Sequence, residues 1–236
     1  VAAVQTLYVV ATVVGAGVLG LLGPQVISRL PEPEPDPSEV DEPPKPLYVD
    51  LARRPRLAPA LALVAAVLAL VVALGIDEPL LLPAWAVFAG VGTWLSFIDL
   101  RTRLLPYALT LPLHVVVLVL VGLASLVAQD RSIILKGLIG NLVLYGVFRL
   151  IYALGRWISQ PFGFGDVRIA GVIGLLLGAL GAAETLYGGY AGFILGAVVG
   201  LGLYATGRIG RRDPFAFGPY LVVGAFLGPP LVALLR

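Results

Sequence analysis

Leu80-Leu-Leu-Pro83-Ala-Trp85-Ala-Val-Phe-Ala-Gly90-Val-Gly-Thr-Trp94-Leu-Ser-Phe-Ile98 runs for 19 residues without a charged side chain, and Asp99-Leu-Arg101-Thr-Arg103 closes it. A helix that crosses the hydrocarbon core of a bilayer needs about 20 apolar residues. Similar runs fall at about 4–27, 58–75, 107–128, 133–155, 167–183, 187–207 and 217–235. With the run at 80–98, eight spans are predicted. The expected fold class is all-α, a polytopic membrane helix bundle.

Composition agrees. Of 236 residues, 59% are hydrophobic and 13% charged, with a mean hydropathy of +0.97. A soluble domain carries about 25% charged residues. Too few polar side chains remain to cover a water-soluble globule, so the outer partner of the bundle is membrane lipid. The chain has no Cys, which excludes a disulfide framework, a thiolate zinc site and a Cys nucleophile together. His114 is the single histidine, which argues against a Ser-His triad or a multi-His metal site. No metal and no cofactor are expected.

The net charge of +2 does not point to nucleic acid, because the basic residues lie in the loops between apolar runs. Arg29, Lys45, Arg53, Arg54 and Arg56 fall in the first loop, Arg101 and Arg103 in the third, Arg156 and Arg168 in the fifth, and Arg208, Arg211 and Arg212 in the seventh. The even loops hold only Arg131 and Lys136. Basic loops stay on the cytoplasmic side, so the odd loops are expected inside and both termini outside. The first run has no basic stretch before it and reads as a retained helix, not a signal peptide. Three segments follow: a first transmembrane helix (1–30), a short loop (31–57) and a seven-helix core (58–236). Within the loop, residues 31–46 alternate Pro with acids and are expected to form an extended, solvated linker.

Of 14 acidic residues, seven fall in that first loop. Asp77, Glu78, Asp130 and Glu184 fall in or beside the outer loops, and Asp213 in the last inner one. Two remain. Asp99 ends the third run, and Asp166 opens the sixth within Gly163-Phe-Gly165-Asp166-Val-Arg168. Both are expected at one depth, near the cytoplasmic face and against apolar helix, where an ionisable group is costly and marks a functional candidate. Two carboxylates in one site cannot both ionise easily, so one keeps a proton and serves as acid while the other draws a proton from water. Gly163 and Gly165, lacking Cβ, allow a tight turn and close approach beside Asp166. A plainer reading pairs Asp99 with Arg101 or Arg103 and makes Asp166 an N-cap.

Several other residues read as structural. Gly188, Gly192, Gly196 and Gly200 share one helix face, as do Gly174 and Gly178, which suits close helix packing in lipid. His114 reads as a hydrogen-bonded neutral imidazole and Asn141 as interhelical glue. Lys136 and Arg149 are expected to snorkel to the two interfaces. Trp85, Trp94 and Trp157 fit interfacial anchoring. Phe217-Gly218-Pro219 is expected to open a helix, since Pro suits the first turn.

These motifs resemble the type IV prepilin peptidases, membrane aspartic proteases with a Gly-x-Gly-Asp motif. The resemblance runs through Ile98-Asp99-Leu-Arg-Thr-Arg-Leu-Leu-Pro106 and Leu109-Thr-Leu-Pro112. It continues through Gly163-Phe-Gly165-Asp166-Val-Arg168 with Gly174 and Gly178, and ends at Phe217-Gly218-Pro219-Tyr220 with Gly224. It covers about residues 60–236. It implies that Asp99 and Asp166 are the catalytic pair, with Gly163, Gly165, Arg168, Pro106, Phe217, Gly218 and Pro219 shaping the site. It implies a prokaryotic cytoplasmic membrane and prepilin or pseudopilin substrates, cut between a short basic leader and a hydrophobic helix. Many members also methylate the new terminus from S-adenosylmethionine, using a larger first loop whose Cys pairs bind zinc. The Cys-free loop here argues against both features. Tyr107 stands where Asn or Asp is usual, and Arg168 where Lys is usual. Two rival readings are a transporter using the acids as an ion relay and a non-catalytic pilus-assembly factor. The transporter predicts acids at the membrane midplane, whereas both acids are expected on one side.

Overall fold

The computed structural model describes residues 2–33, 45–158, 163–210 and 215–236, and the side chains of 2–4 and 156–158 are not included. The regular structure of these residues is helical. In chain order the helices are α1 (Ala2–Ile27), the short α2 (Tyr48–Ala52), α3 (Leu57–Ala73), α4 (Leu82–Thr102), α5 (Tyr107–Val127), α6 (Arg131–Ile158), α7 (Phe164–Leu180), α8 (Ala182–Ala205) and α9 (Gly218–Leu235). A 3-10 turn, Pro79–Leu81, leads into α4. Eight long helices thus stand where the eight apolar runs were expected.

Six of them, α1, α4, α5, α6, α8 and α9, are long and apolar enough to cross a membrane. The other two, α3 and α7, have 17 residues each, the short end of the spanning range. The fold is a polytopic helical bundle, with six spans supported by length and composition. Its outer surface is apolar: Val14 and Val18 on α1, Val115 and Val119 on α5, and Leu142 on α6 all stand half or more exposed. In water such a surface would be a large liability; against acyl chains it is the matching one.

Turn chemistry sets most of the helix ends. Pro83 and Pro219 sit in first turns, where the missing N–H costs nothing. Pro106 precedes α5, and its carbonyl accepts the N–H groups of Leu109 and Thr110 at 3.1 and 3.0 Å. Arg103 closes α4 in the left-handed conformation, φ 57°. The sixth run was expected to reach 183, but α7 stops at Leu180 and Gly181 alone separates it from α8. Glu184 therefore lies in the first turn of α8, not in a loop; it is buried and its Oε1 pairs with Arg236 Nη2 at 2.7 Å. A carboxylate there also faces the positive end of the helix dipole.

At the centre of the bundle is α7, buried from Asp166 to Ala179 but for Arg168. The glycine faces do the packing expected of them. A Cβ at Gly140 on α6 would strike the carbonyl of Gly174 and lie 2.8 Å from Gly178 Cα, so the backbones of α6 and α7 touch. Gly192 and Gly188 of α8 meet Gly224 and Gly228 of α9 in the same way. Gly140→Val is expected to lower stability by about 1–3 kcal/mol through overpacking. Gly15→Val, at a position with nothing within 4 Å, should cost far less. Thermal unfolding in detergent checks the pair.

A polar junction ties three helices. Asn141 Nδ2 on α6 donates to Gly171 O of α7 at 2.7 Å and lies 2.8 Å from His114 Nε2 of α5. Since Nδ2 can only donate, Nε2 accepts, which fixes His114 as the neutral tautomer protonated at Nδ1. Arg149 is exposed and lies over Tyr152 and Phe164, at 5.7 and 5.9 Å from the ring centres.

Two expectations need correction. Trp85 and Trp94 are core residues, 0% and 5% exposed, not interfacial anchors. Trp85 packs edge-on against Phe88 and Phe226, and the Trp94 ring fills the space that Gly23 leaves open. Trp157 has its side chain outside the described residues. The first loop is also not simply solvated at its start. Glu32 accepts the N–H groups of Tyr48 and Val49 at 2.6 and 3.0 Å and so closes the amino end of α2. Residues 34–44 of the expected linker lie outside the described residues, as do Arg211, Arg212 and Asp213.

Tyr48 is buried beside that carboxylate, and burial, followed by the Glu32 charge, pushes its phenol up to about 12 from 10.0. The folded chain then holds a proton that the unfolded chain gives up, so this contribution is whole below pH 10 and lost as pH rises toward 12. A melting curve taken at pH 9 and at pH 11 should show a larger fall for wild type than for Tyr48→Phe.

Candidate active site

The carboxyl end of α4 and the amino ends of α5, α7 and α9 converge at one end of the bundle. Two carboxylates meet there. Asp99 occupies the last turn of α4 and is 4% exposed; Asp166 occupies the first turn of α7 and is 6% exposed. They are 67 positions apart in sequence and within electrostatic reach of each other in space.

Each carboxylate has one oxygen held by a backbone amide. Asp99 Oδ2 accepts the N–H of Gly218, the first residue of α9, at 3.0 Å. Asp166 Oδ2 accepts the N–H of Gly163 at 3.1 Å, while Gly163 O accepts the Asp166 N–H at 3.1 Å. Asp166 is therefore the third residue of the helix closing back on its cap, not the N-cap itself. That contact uses one oxygen only. Asp166 Oδ1 is buried and has no hydrogen-bond partner, an expensive arrangement for a structural cap.

Leu105 joins the two halves. Its side chain would contact a Cβ at Gly165 at 2.7 Å and one at Gly218 at 3.3 Å. A Cβ at Gly218 would also lie 2.9 Å from Asp99 Oδ2. Glycine at 165 and 218 is thus what lets α7 and α9 close on the Leu104-Leu105-Pro106 turn. Phe217 is buried just before Gly218, its ring in the gap left by Gly196 on α8. Pro219 stands in the first turn of α9.

The structure brings together Asp99, Asp166, Gly163, Gly165, Phe217, Gly218 and Pro219, with Pro106 one residue from Leu105. Arg168 lies beside this group: its guanidinium stands 5.2 Å over Tyr107, the residue after Pro106, and 5.7 Å over Phe164, between Gly163 and Gly165. Sequence reasoning did not single out Leu105 or Tyr220. Tyr220 stacks on Phe215 at 5.3 Å and lies within electrostatic reach of Asp99. The adjacent motif residues Pro106 and Pro219 were the available signals for both. Among the described residues no group of three or more His, Cys, Asp or Glu side chains comes together.

A polytopic helical bundle carrying two buried aspartates at one end defines a class of multi-helix membrane proteins with paired carboxylates. Residues 86–203, half of the chain and running from α4 into α8, match the model of the type IV leader peptidase family. The chain belongs to that family. It is 32% identical over 145 residues to a prepilin leader peptidase/N-methyltransferase of Burkholderia pseudomallei, covering 60% of this chain and 45% of the relative. It is 31% identical over 174 residues to the protein of that name in Aeromonas salmonicida, covering 72% and 56%. Leader peptidase HopD of Escherichia coli is 30% identical over 154 residues, covering 62% of this chain and 91% of the relative. The chain spans about half the length of the first two relatives. No solved structure matches it significantly.

Proposed function

We propose that the chain is a membrane aspartic endopeptidase that removes the leader from prepilin-like or pseudopilin substrates, with Asp99 and Asp166 as its catalytic pair. The observation that carries this reading is the burial of both carboxylates around Leu105 at one end of the bundle, with Asp166 Oδ1 unengaged. Family membership and the printed names of the relatives support the substrate class.

In this reading the pair shares one proton, since like charges so close cannot both stay ionised. The ionised member takes a proton from water as the water oxygen attacks the scissile carbonyl carbon. The protonated member then gives its proton to the leaving nitrogen, and the C–N bond breaks. The products are a carboxyl group on the leader and a free amine on the mature protein, and one water is consumed. The amides of Gly218 and Gly163 hold one oxygen of each aspartate, so the pair is oriented before substrate arrives. Gly163, Gly165, Pro106, Phe217, Gly218 and Pro219 shape this site, and Arg168 stacked on Tyr107 and Phe164 flanks it.

The same end of the bundle carries Arg29, Lys45, Arg53, Arg54, Arg56, Arg101 and Arg103, which supports a cytoplasmic position for the site and outward termini. The test is to co-express the chain with a prepilin from the same genome and read the pilin amino terminus by mass spectrometry. A pilin shortened by its leader is expected. An intact leader beside well-accumulated protein, repeated over several prepilins, would overturn the reading.

A further inference from the structure

Helices α6 and α8 flank α7 but barely touch each other, and an almost wholly apolar groove of about 800 Å³ lies between them. We infer that this groove seats the apolar transmembrane helix of the substrate, so that the peptide bond just before that helix is delivered to the aspartate pair. The inference rests on the leader-peptidase reading and adds the binding site that it lacks.

Three features fix the occupant. The first is length. Along α6 the groove runs from Lys136 to Ile151, about 22 Å of helix rise. That is most of the roughly 30 Å hydrocarbon core, and the lining residues Val143, Leu186 and Tyr190 are exposed, so the groove opens sideways toward lipid.

The second is its floor. At Gly140 and Gly178 the backbones of α6 and α7 touch, so no side chain stands up between them. On α8, Ala182 and Thr185 present a second small face, distinct from the Gly188–Gly192–Gly196 face that packs on α9, while Leu144 of α6 covers Gly189. Small residues let another helix backbone approach closely; an acyl chain gains no comparable advantage from them.

The third is continuity with the site. Phe193, at one end of the groove, lies 6.0 Å from Phe217, the residue before Gly218, whose amide holds Asp99. Ile151, at the same end, precedes Tyr152, whose ring lies 5.4 Å from Phe164 in the turn that carries Asp166. A helix lying in the groove therefore has its end toward Phe217 and Phe164, next to the helix starts that hold Gly218 and Asp166.

The experiment compares Val143→Trp and Val147→Trp, which fill the groove from exposed positions, with Val119→Trp on the lipid-facing side of α5. Each is assayed in bilayers on a full-length prepilin-like substrate and on a soluble peptide ending a few residues beyond the cut. For the groove variants kcat/KM on the full-length substrate should fall about tenfold, with the peptide reaction and Val119→Trp unchanged, because remote binding energy is lost. Equal rates for all three variants, or equal losses on both substrates, would overturn the inference while leaving the protease reading in place. Wild-type protein that cuts neither substrate would remove both.

A photoreactive side chain at Leu186 gives an answer independent of variant folding. Cross-links to the substrate's apolar helix are expected. Cross-links to lipid alone, with substrate present and being cut, would overturn the inference.

Discussion

Asp99→Asn and Asp166→Asn are each expected to lower leader cleavage by about a thousandfold or more, while the variant protein accumulates and remains helical. The size follows from the role. Loss of a positioned acid or base costs about 10²–10⁴ in rate, and in the proposed mechanism each residue serves as both partner and catalyst. Folding should survive because Asn is isosteric. Its Oδ1 can still accept the Gly218 or Gly163 N–H that now meets a carboxylate oxygen. A purely structural pair would behave in the opposite way, losing protein before losing rate per molecule. The check is a cleavage time course normalised to folded protein in the membrane.

Gly218→Ala is the second large effect, a fall of about a hundredfold in kcat with the fold retained. The added Cβ would stand 2.9 Å from Asp99 Oδ2 and 3.3 Å from a Leu105 methyl. Contacts that tight force the carboxylate or the start of α9 to move by some tenths of an ångström and strain the amide–carboxylate bond. Misplacing a reacting group by about 1 Å can cost 10²-fold in rate. Gly165→Ala should act in the same direction through Leu105, whose Cβ lies 2.7 Å from the new methyl. Single-turnover rates at saturating substrate separate this loss from one in binding.

The helices and the two buried aspartates were legible in the sequence for the same reason. Lipid removes charge from spanning helices, so charge-free runs mark the helices and an acid at their ends stands out. The Gly faces of α7 and α8 were legible because every fourth residue falls on one side of a helix. What stayed hidden depends on distant partners. Trp94 is equally suited to an interface or a pocket, and only Gly23, 71 positions away, decides for the pocket. Glu184 finds Arg236 across 52 positions, and Gly181 breaks α7 from α8 among apolar residues that hydropathy does not distinguish. The Gly218 amide is a backbone donor and leaves no trace in side-chain patterning. The role of Leu105 likewise emerges only once α7 and α9 close on it.

The most direct test of the paired-aspartate mechanism is the cleavage rate of the Asp99→Asn/Asp166→Asn double variant beside the two single variants, on one prepilin-like substrate. Residues that act as one unit are non-additive. The double variant is expected to be no slower than either single one, with all three far below wild type. Single variants that retain near wild-type rates, or losses that multiply in the double variant, would contradict a shared catalytic pair.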